Sequence, residues 1–245
     1  MYENIKVFGE RHTGTKYLLK LIELNMPEFN IVQGTGSWVL EKLYYRPWVE
    51  LAYDMYFRKT FPTVLGWKHS AVHCAALYEQ KIFEKTFFVC LVRNPYSWLL
   101  SMHRMPYHAY DMPRGFEDFL TSEWPILDRD MCRAKNVMDL WNVKNYSYLH
   151  SGFYLMKFED LVCNPRKTIY KLAKRLESDF RYSQFEGYNR STVHGESRDS
   201  DWYKNYYGTE KWRHRLSPRA LELIAKGIDW GIAHEFGYME RPCFY

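Results

Sequence analysis

At 245 residues the chain is sized for one large domain, at roughly 100 to 200 residues each, and a solenoid or a two-domain split is disfavoured. Its 47% hydrophobic and 26% charged residues are a globular balance. A mean hydropathy of -0.50, with no apolar run of about 18 residues, excludes a membrane span and predicts a soluble chain. Lys+Arg 34 against Asp+Glu 29 leaves +5, too little and too evenly spread for a nucleic-acid protein, but suited to a small anionic ligand.

The amino-terminal stretch MYENIKVFGE has no basic leader and only a short apolar run. It predicts a first core strand and not a signal peptide, and hence a cytoplasmic location. Four short apolar runs predict buried strands: Ile5 to Phe8, Thr63 to Trp67, Thr86 to Val92 and Phe153 to Phe158. Within the third, FFVCLV is apolar throughout, as a strand covered on both faces must be. Helices are predicted over Lys16 to Asn25, Pro95 to His103, Gly115 to Ser122, Met131 to His150, Pro165 to Glu177 and Pro218 to His234. The last begins with Ser217 as cap and Pro218 at the first helical position, where its missing N–H costs nothing. Strands alternating with helices predict an α/β fold with a central parallel sheet flanked by helices.

The least regular stretch, 182 to 215, is dense in Ser, Gly, Tyr, Arg and Lys, the composition of a lid or cofactor-binding loop on a single domain spanning 1 to 245. The cysteines, Cys74, Cys90, Cys132, Cys163 and Cys243, stand far apart without a CxxC pair, so free thiols and a reducing compartment are expected. Aromatics reach 18%; wide rings either fill the core or line a cleft, and composition alone does not choose.

Chemistry enters at the end of the first strand. IKVF runs into Gly9-Glu10-Arg11-His12-Thr13-Gly14-Thr15-Lys16 and then a helix, the arrangement in which backbone N–H groups converge on a phosphate. A Walker A loop needs Gly-Lys-Ser/Thr. Here Thr15 and Lys16 follow Gly14 in the other order, so the loop suits a phosphate better than it suits ATP. The strongest strand ends in Arg93-Asn94-Pro95 where a nucleoside-triphosphate enzyme places a Mg²⁺-binding Asp, so a cation stands where a metal ligand would be.

On these residues the chain resembles the sulfotransferases that use 3′-phosphoadenosine 5′-phosphosulfate (PAPS). RHTGTKYL is similar to the family's 5′-phosphosulfate loop. FFVCLVRNPYSWLLS is similar to its 3′-phosphate motif, a strand ending in Arg93 with Ser101 eight residues later. YLMKFEDLVCNP is similar to its later strand-to-helix segment. The resemblance spans about residues 5 to 176. It implies a P-loop NTPase-like three-layer fold, PAPS as cosubstrate, adenosine 3′,5′-bisphosphate as product, and no metal.

It also implies site residues. Thr13, Gly14, Thr15 and Lys16 would hold the 5′ side of the nucleotide, and Arg93 and Ser101 the 3′-phosphate, Arg93 as a fork donor. Where the cytosolic branch carries Lys before Ser-Gly-Thr, this chain has His12 after Arg11, which leaves Arg11, His12 and Lys16 as candidates to neutralise the leaving phosphate. Lys20 stands where another branch has a Glu base. The cytosolic branch takes its base from a His just after the second strand, in a Lys-x-His context, and this chain has Gly66-Trp67-Lys68-His69-Ser70 after a comparable predicted strand, so His69 is the expected general base, with Lys68 as the second candidate and His12 also in the catalytic set. An unperturbed imidazole would put the acid limb of activity near pH 6.5. Trp202, Lys204, Gly208, Lys211 and Trp212 are similar to the loop covering the nucleotide, with Lys204 and Lys211 expected to reach it.

The acceptor is expected to be the hydroxyl or amine of a small molecule or carbohydrate, with specificity in 116 to 150 and neither nucleic acid nor membrane as partner. A nucleotide kinase on the same fold, or a non-catalytic nucleotide- or RNA-binding module, are the other readings. The oligomeric state is not legible.

Overall fold

The computed structural model describes residues 1–33, 46–192 and 197–240; Cys243 and part of the expected lid lie outside them. In chain order the elements are β1 (Asn4–Phe8), α1 (Thr15–Asn25), β2 (Asn30–Ile31), α2 (Arg46–Val64), α3 (Cys74–Tyr78), β3 (Thr86–Val92), α4 (Pro95–Arg104), α5 (Phe116–Thr121), α6 (Val137–Leu149), β4 (Tyr154–Lys157), α7 (Phe158–Cys163), α8 (Pro165–Leu176), α9 (Ser200–Gly208), α10 (Pro218–Gly227) and α11 (Trp230–Glu235), with single 3₁₀ turns between some of them. The four strands form one all-parallel sheet in the order β2-β1-β3-β4. Helices cover both faces, which makes the molecule the α/β fold that the strand–helix alternation predicts.

Two apolar clusters lie on opposite faces of the sheet. On one, Ile5, Val7, Val89 and Leu91 pack with Leu18, Ile22 and Leu172 of α1 and α8. On the other, Phe8, Phe88, Cys90 and Val92 meet α3 to α7 and α9 to α11. Strand alternation sends successive side chains to opposite faces, so β1 and β3 supply both clusters. Many of the aromatics belong to this core. Trp98, Trp124 and Trp141 are fully enclosed, and two of their indoles donate to backbone at the strand ends, Trp98 Nε1 to Arg11 O at 2.8 Å and Trp141 Nε1 to Arg93 O at 3.1 Å.

Three expected elements are corrected. Thr63 to Trp67 is no strand: α2 runs to Val64, and Leu65 (φ 55°) and Gly66 (φ 78°) are left-handed residues that close the helix, the conformation of a helix end. Lys6 of β1 holds this end, donating from Nζ to Val64 O at 2.5 Å and Gly66 O at 2.7 Å. The helix expected from Met131 starts only at Val137, where the Asn136 side chain accepts from Asp139 N, and Met131 itself is left-handed. The helix expected over Pro218 to His234 breaks at Ile228, and Asp229 caps a second one by accepting from Ile232 N. The 182 to 215 stretch is also more regular than expected, since it carries α9. Among the described residues no helix is long and apolar enough to cross a membrane.

Candidate functional site

The loop between β1 and α1 is anchored on three sides. Gly9 N donates to Lys68 O at 2.9 Å, Thr13 Oγ1 donates to Glu10 O at 2.6 Å, and the Arg93 guanidinium donates to His12 O at 2.5 Å. His12 (φ 65°) and Gly14 (φ 86°) are both left-handed, and Gly14 caps α1 without any side-chain bond to the helix amides. Successive amides therefore turn inward at an open helix start, where the partial positive charge of the helix favours an anion. A Cβ on Gly14 would lie 2.8 Å from Phe158 Cδ2. Gly14→Ala is accordingly expected to destabilise the chain by about 1 to 3 kcal/mol through left-handed strain and the ring clash. A urea midpoint equal to wild type would remove this constraint.

Arg93 leaves the end of β3 and is 3% exposed. Its Nη2 donates to Ser101 Oγ at 2.9 Å and to Ser97 O at 2.9 Å, and its Nε to Ser97 Oγ at 3.0 Å. Phe158 and Tyr207 stack on it at 4.5 and 4.6 Å. Four of its five N–H groups are thus engaged by the protein, so the free fork expected for Arg93 is instead one Nη1–H beside the Ser101 hydroxyl.

A cavity of about 220 Å³ joins these parts, lined by His12, Gly14, Thr15 and Lys16 from the loop, by Arg93 and Ser101, and by His69. Arg104, Tyr107, Arg190 and Tyr203 also line it; no motif pointed to them, although a basic residue at the end of α4, near Ser101, was a readable signal. Lys204 and Lys211 lie on the exposed surface and do not line the cavity. The expected register of the covering segment is corrected: Arg190 is the cation it brings. Among the described residues the lining holds four cations, Lys16, Arg93, Arg104 and Arg190, and no carboxylate.

A second cavity of about 520 Å³ lies beside it and shares Lys16, His69 and Tyr107 with the first. His69 therefore stands at their junction. Its Nδ1 bonds Gly9 O at 2.6 Å; a carbonyl only accepts, so Nδ1 carries the proton and Nε2 is left with its lone pair. Burial, then the neighbouring Lys68 and Arg11 charges, push the imidazole pKa well below 6.5. Lys68 is pulled down to about 8 by burial and by Lys16, which leaves it mostly protonated at pH 7 and so a cation before a base.

Arg11 and His12 take positions other than those expected. Arg11 turns inward and is 3% exposed: Nη1 pairs with Glu10 at 2.8 Å, Nη2 bonds His108 Nδ1 at 3.0 Å, and the guanidinium lies over Trp67 at 4.6 Å. It lines only the second cavity. His12 Nε2 bonds Met105 O at 2.9 Å, and burial, with Arg93 and Arg104 adding to it, drives its pKa down to about 3. It is neutral at pH 7 and so no cation; its Nε2 proton is committed to Met105 O, which leaves the lone pair on Nδ1. Lys16, exposed in the first turn of α1, is the candidate left for the leaving phosphate.

Behind the loop lies a group of buried charges. Lys144 of α6 donates to Asp130 Oδ1 at 2.5 Å and to His69 O at 2.6 Å, and pairs with Glu10. One ammonium thus ties the phosphate loop to the His69 backbone. Burial opposes its charge, but Asp130 and Glu10 outweigh burial and hold the Lys144 pKa above its usual value.

No family model matches the chain, and no curated protein matches it. Among solved structures, the sulfotransferase domain from the curacin biosynthetic pathway superposes with a TM-score of 0.53 at 14% identity, covering 98% of this chain and 99% of that one. The chain has a sulfotransferase fold. The sulfotransferase domain from the Synechococcus PCC 7002 olefin synthase aligns at 16% identity with a TM-score of 0.49, over 97% of this chain and 96% of that one. Along the sulfotransferase-fold chain described here, the phosphate loop follows β1, Arg93 ends β3, and Phe158 opens α7 directly after β4. The three motif segments read from the sequence thus meet at the carboxyl ends of adjacent parallel strands, where ligands of open α/β sheets gather.

Proposed function

We propose that the chain is a PAPS-dependent sulfotransferase acting on a hydroxyl or amine of a small molecule or carbohydrate. The observation that carries this reading is the junction of two cavities at His69, one of them walled by the anion-binding loop, Arg93 and Ser101. The lining fits a ligand with phosphates at both ends, because cations and helix-start amides face it and no carboxylate among the described residues does.

In this reading the Gly14 to Lys16 amides and the Lys16 ammonium hold the 5′ side of the nucleotide, while the Thr13 amide, expected there too, is spent on Glu10 O at 3.1 Å, and Arg93 and Ser101 hold the 3′-phosphate. PAPS supplies, when bound, a sulfuryl group on a good leaving phosphate. His69 Nε2 accepts the proton of the acceptor hydroxyl or amine as its lone pair is committed, and the Gly9 carbonyl keeps the ring in the tautomer that can do so. Lys16 stands at both cavities, next to where charge develops.

Incubation with PAPS should release adenosine 3′,5′-bisphosphate, with and without chelator. ATP turnover that needs Mg²⁺, with no use of PAPS, would replace this reading by a phosphotransferase one. Binding without turnover, and steeply salt-dependent, would favour a nucleic-acid module.

Arg93→Ala is expected to weaken bisphosphate binding by about 2 to 4 kcal/mol, since a charged donor is lost together with the anchor of the His12 carbonyl. Adenosine 5′-phosphosulfate, lacking the 3′-phosphate, should bind wild type far more weakly than PAPS. Equal calorimetric affinities of the two nucleotides, or of the two proteins, would remove Arg93 from that role.

A further inference from the structure

The second cavity holds five cations, Arg11, Lys16, Lys20, Lys68 and Arg129, but most are already matched. Arg11 is held by Glu10 at 2.8 Å, Arg129 by Asp54 at 2.7 Å and by Glu50, and Lys20 by Glu23 at 3.0 Å. Lys16 lines both cavities and serves the nucleotide in the reading above. Lys68 remains. Its ammonium has no carboxylate or hydrogen-bond partner among the described residues, its nearest charged influence is the like charge of Lys16, and it opens to the second cavity and not to the first.

A half-buried ammonium without a counter-charge is costly, and an anion brought to it recovers that cost. Aromatic rings stand among these charges. Phe57 is buried, Tyr53 and Trp67 stand beside it, and Trp67 already carries the Arg11 and Arg129 guanidinium groups at 4.6 and 4.7 Å. An aromatic lining of this kind suits the compact carbon frame of a ring, aromatic or pyranose, better than a flexible chain.

We propose that this cavity binds a hydroxylated ring acid as the acceptor, its carboxylate paired with Lys68 and its hydroxyl presented to His69. The proposal rests on the sulfotransferase reading for the identity of the reaction, but the recognition itself does not. Lys68 is a specificity-determining residue here, adjacent in sequence to the base, so the carboxylate and the reacting hydroxyl are held by consecutive residues on one turn.

The test compares matched pairs that differ in charge alone: 4-hydroxyphenylacetate with 4-hydroxyphenylacetamide for aromatic acids, and methyl glucuronide with methyl glucoside for sugar acids. With PAPS as donor, kcat/KM should favour the acid in one pair by about tenfold to a hundredfold, the worth of a charge-assisted pair; which pair responds identifies the ring. Lys68→Gln should erase the preference, Lys68→Arg should keep most of it, and neither should alter bisphosphate affinity more than about threefold, which is within ordinary context variation. The same pairs are titrated by calorimetry with the bisphosphate present. Acid-selective binding that depends on Lys68, without turnover of any of the four and without release of the bisphosphate from PAPS, would uphold the recognition by Lys68 and overturn the sulfotransferase reading. Equal use or equal binding of acid and neutral partner by wild type, or no binding of any of the four at millimolar concentration, overturns the proposal. So does a Lys68→Gln variant that loses bisphosphate affinity tenfold while keeping the acid preference, since Lys68 would then belong to the nucleotide.

Discussion

His69→Ala is expected to lower PAPS-dependent turnover about 10² to 10⁴-fold while leaving bisphosphate affinity nearly unchanged, because the imidazole acts on the acceptor proton and its only described polar bond is to Gly9 O at 2.6 Å. The loss belongs in kcat. The pH dependence follows from the direction of the shift. A pKa pushed well below 6.5 by burial keeps His69 neutral and able to accept a proton at pH 7, so the acid limb moves below the value near 6.5 that an unperturbed imidazole would give. Activity should be level in this group from pH 8 to 6 and fall only at lower pH. An alanine variant with most of its turnover, or a limb at 6.5 that vanishes with no other change in the variant, would remove His69 as the buried base.

Lys144→Met should cost about 3 to 5 kcal/mol of stability, since it leaves two buried carboxylates, Asp130 and Glu10, sharing the Arg11 guanidinium, with one negative charge uncompensated. Urea unfolding measures this. Lys144 has a raised pKa, so its contribution is fully present below the unfolded value and disappears only as pH rises through the folded one. Asp130 is shifted the opposite way, by Lys144 and Arg11 against burial; its contribution is present above the ordinary carboxylate range and is lost as pH falls through its depressed value. The double variant Lys144→Met, Asp130→Asn should recover part of the loss, because Glu10 then stays paired with Arg11 and no carboxylate is left in excess. If Lys144→Met unfolds at the wild-type midpoint, the ammonium does not hold the loop and the His69 backbone together.

What could be read from the sequence was local. The strand–loop–helix around Gly14 and the Arg93-to-Ser101 spacing each sit within a dozen residues, and backbone geometry alone brings their members together. The Thr63 to Trp67 run misled because its apolar side chains belong to a helix end, and what closes that end, two left-handed residues and the Lys6 ammonium from another strand, has no periodicity to detect. The surroundings of Arg11 and His12 were out of the sequence's reach for a related reason. Their charge state is set by Glu10, Asp130, His108 and Met105, three of which lie some hundred residues away. Arg190 lines the cavity while Lys204, on α9, and Lys211, in the 3₁₀ turn that follows it, are exposed; a segment that looked irregular gave no register from which to tell them apart.

The clasp around Arg93 bears on how quickly and how selectively an anion can be taken up. A solvent-exposed arginine loses about 2 kcal/mol of rotamer freedom when it closes on a ligand. Here two aromatic faces and four hydrogen bonds have immobilised the guanidinium already, so that entropy is given up during folding and not at the encounter. Any anion that arrives meets a donor whose position is already set. An anion of the wrong size or charge distribution therefore gains little from Arg93, because the side chain cannot follow it, and discrimination at this end of the cavity comes from stiffness.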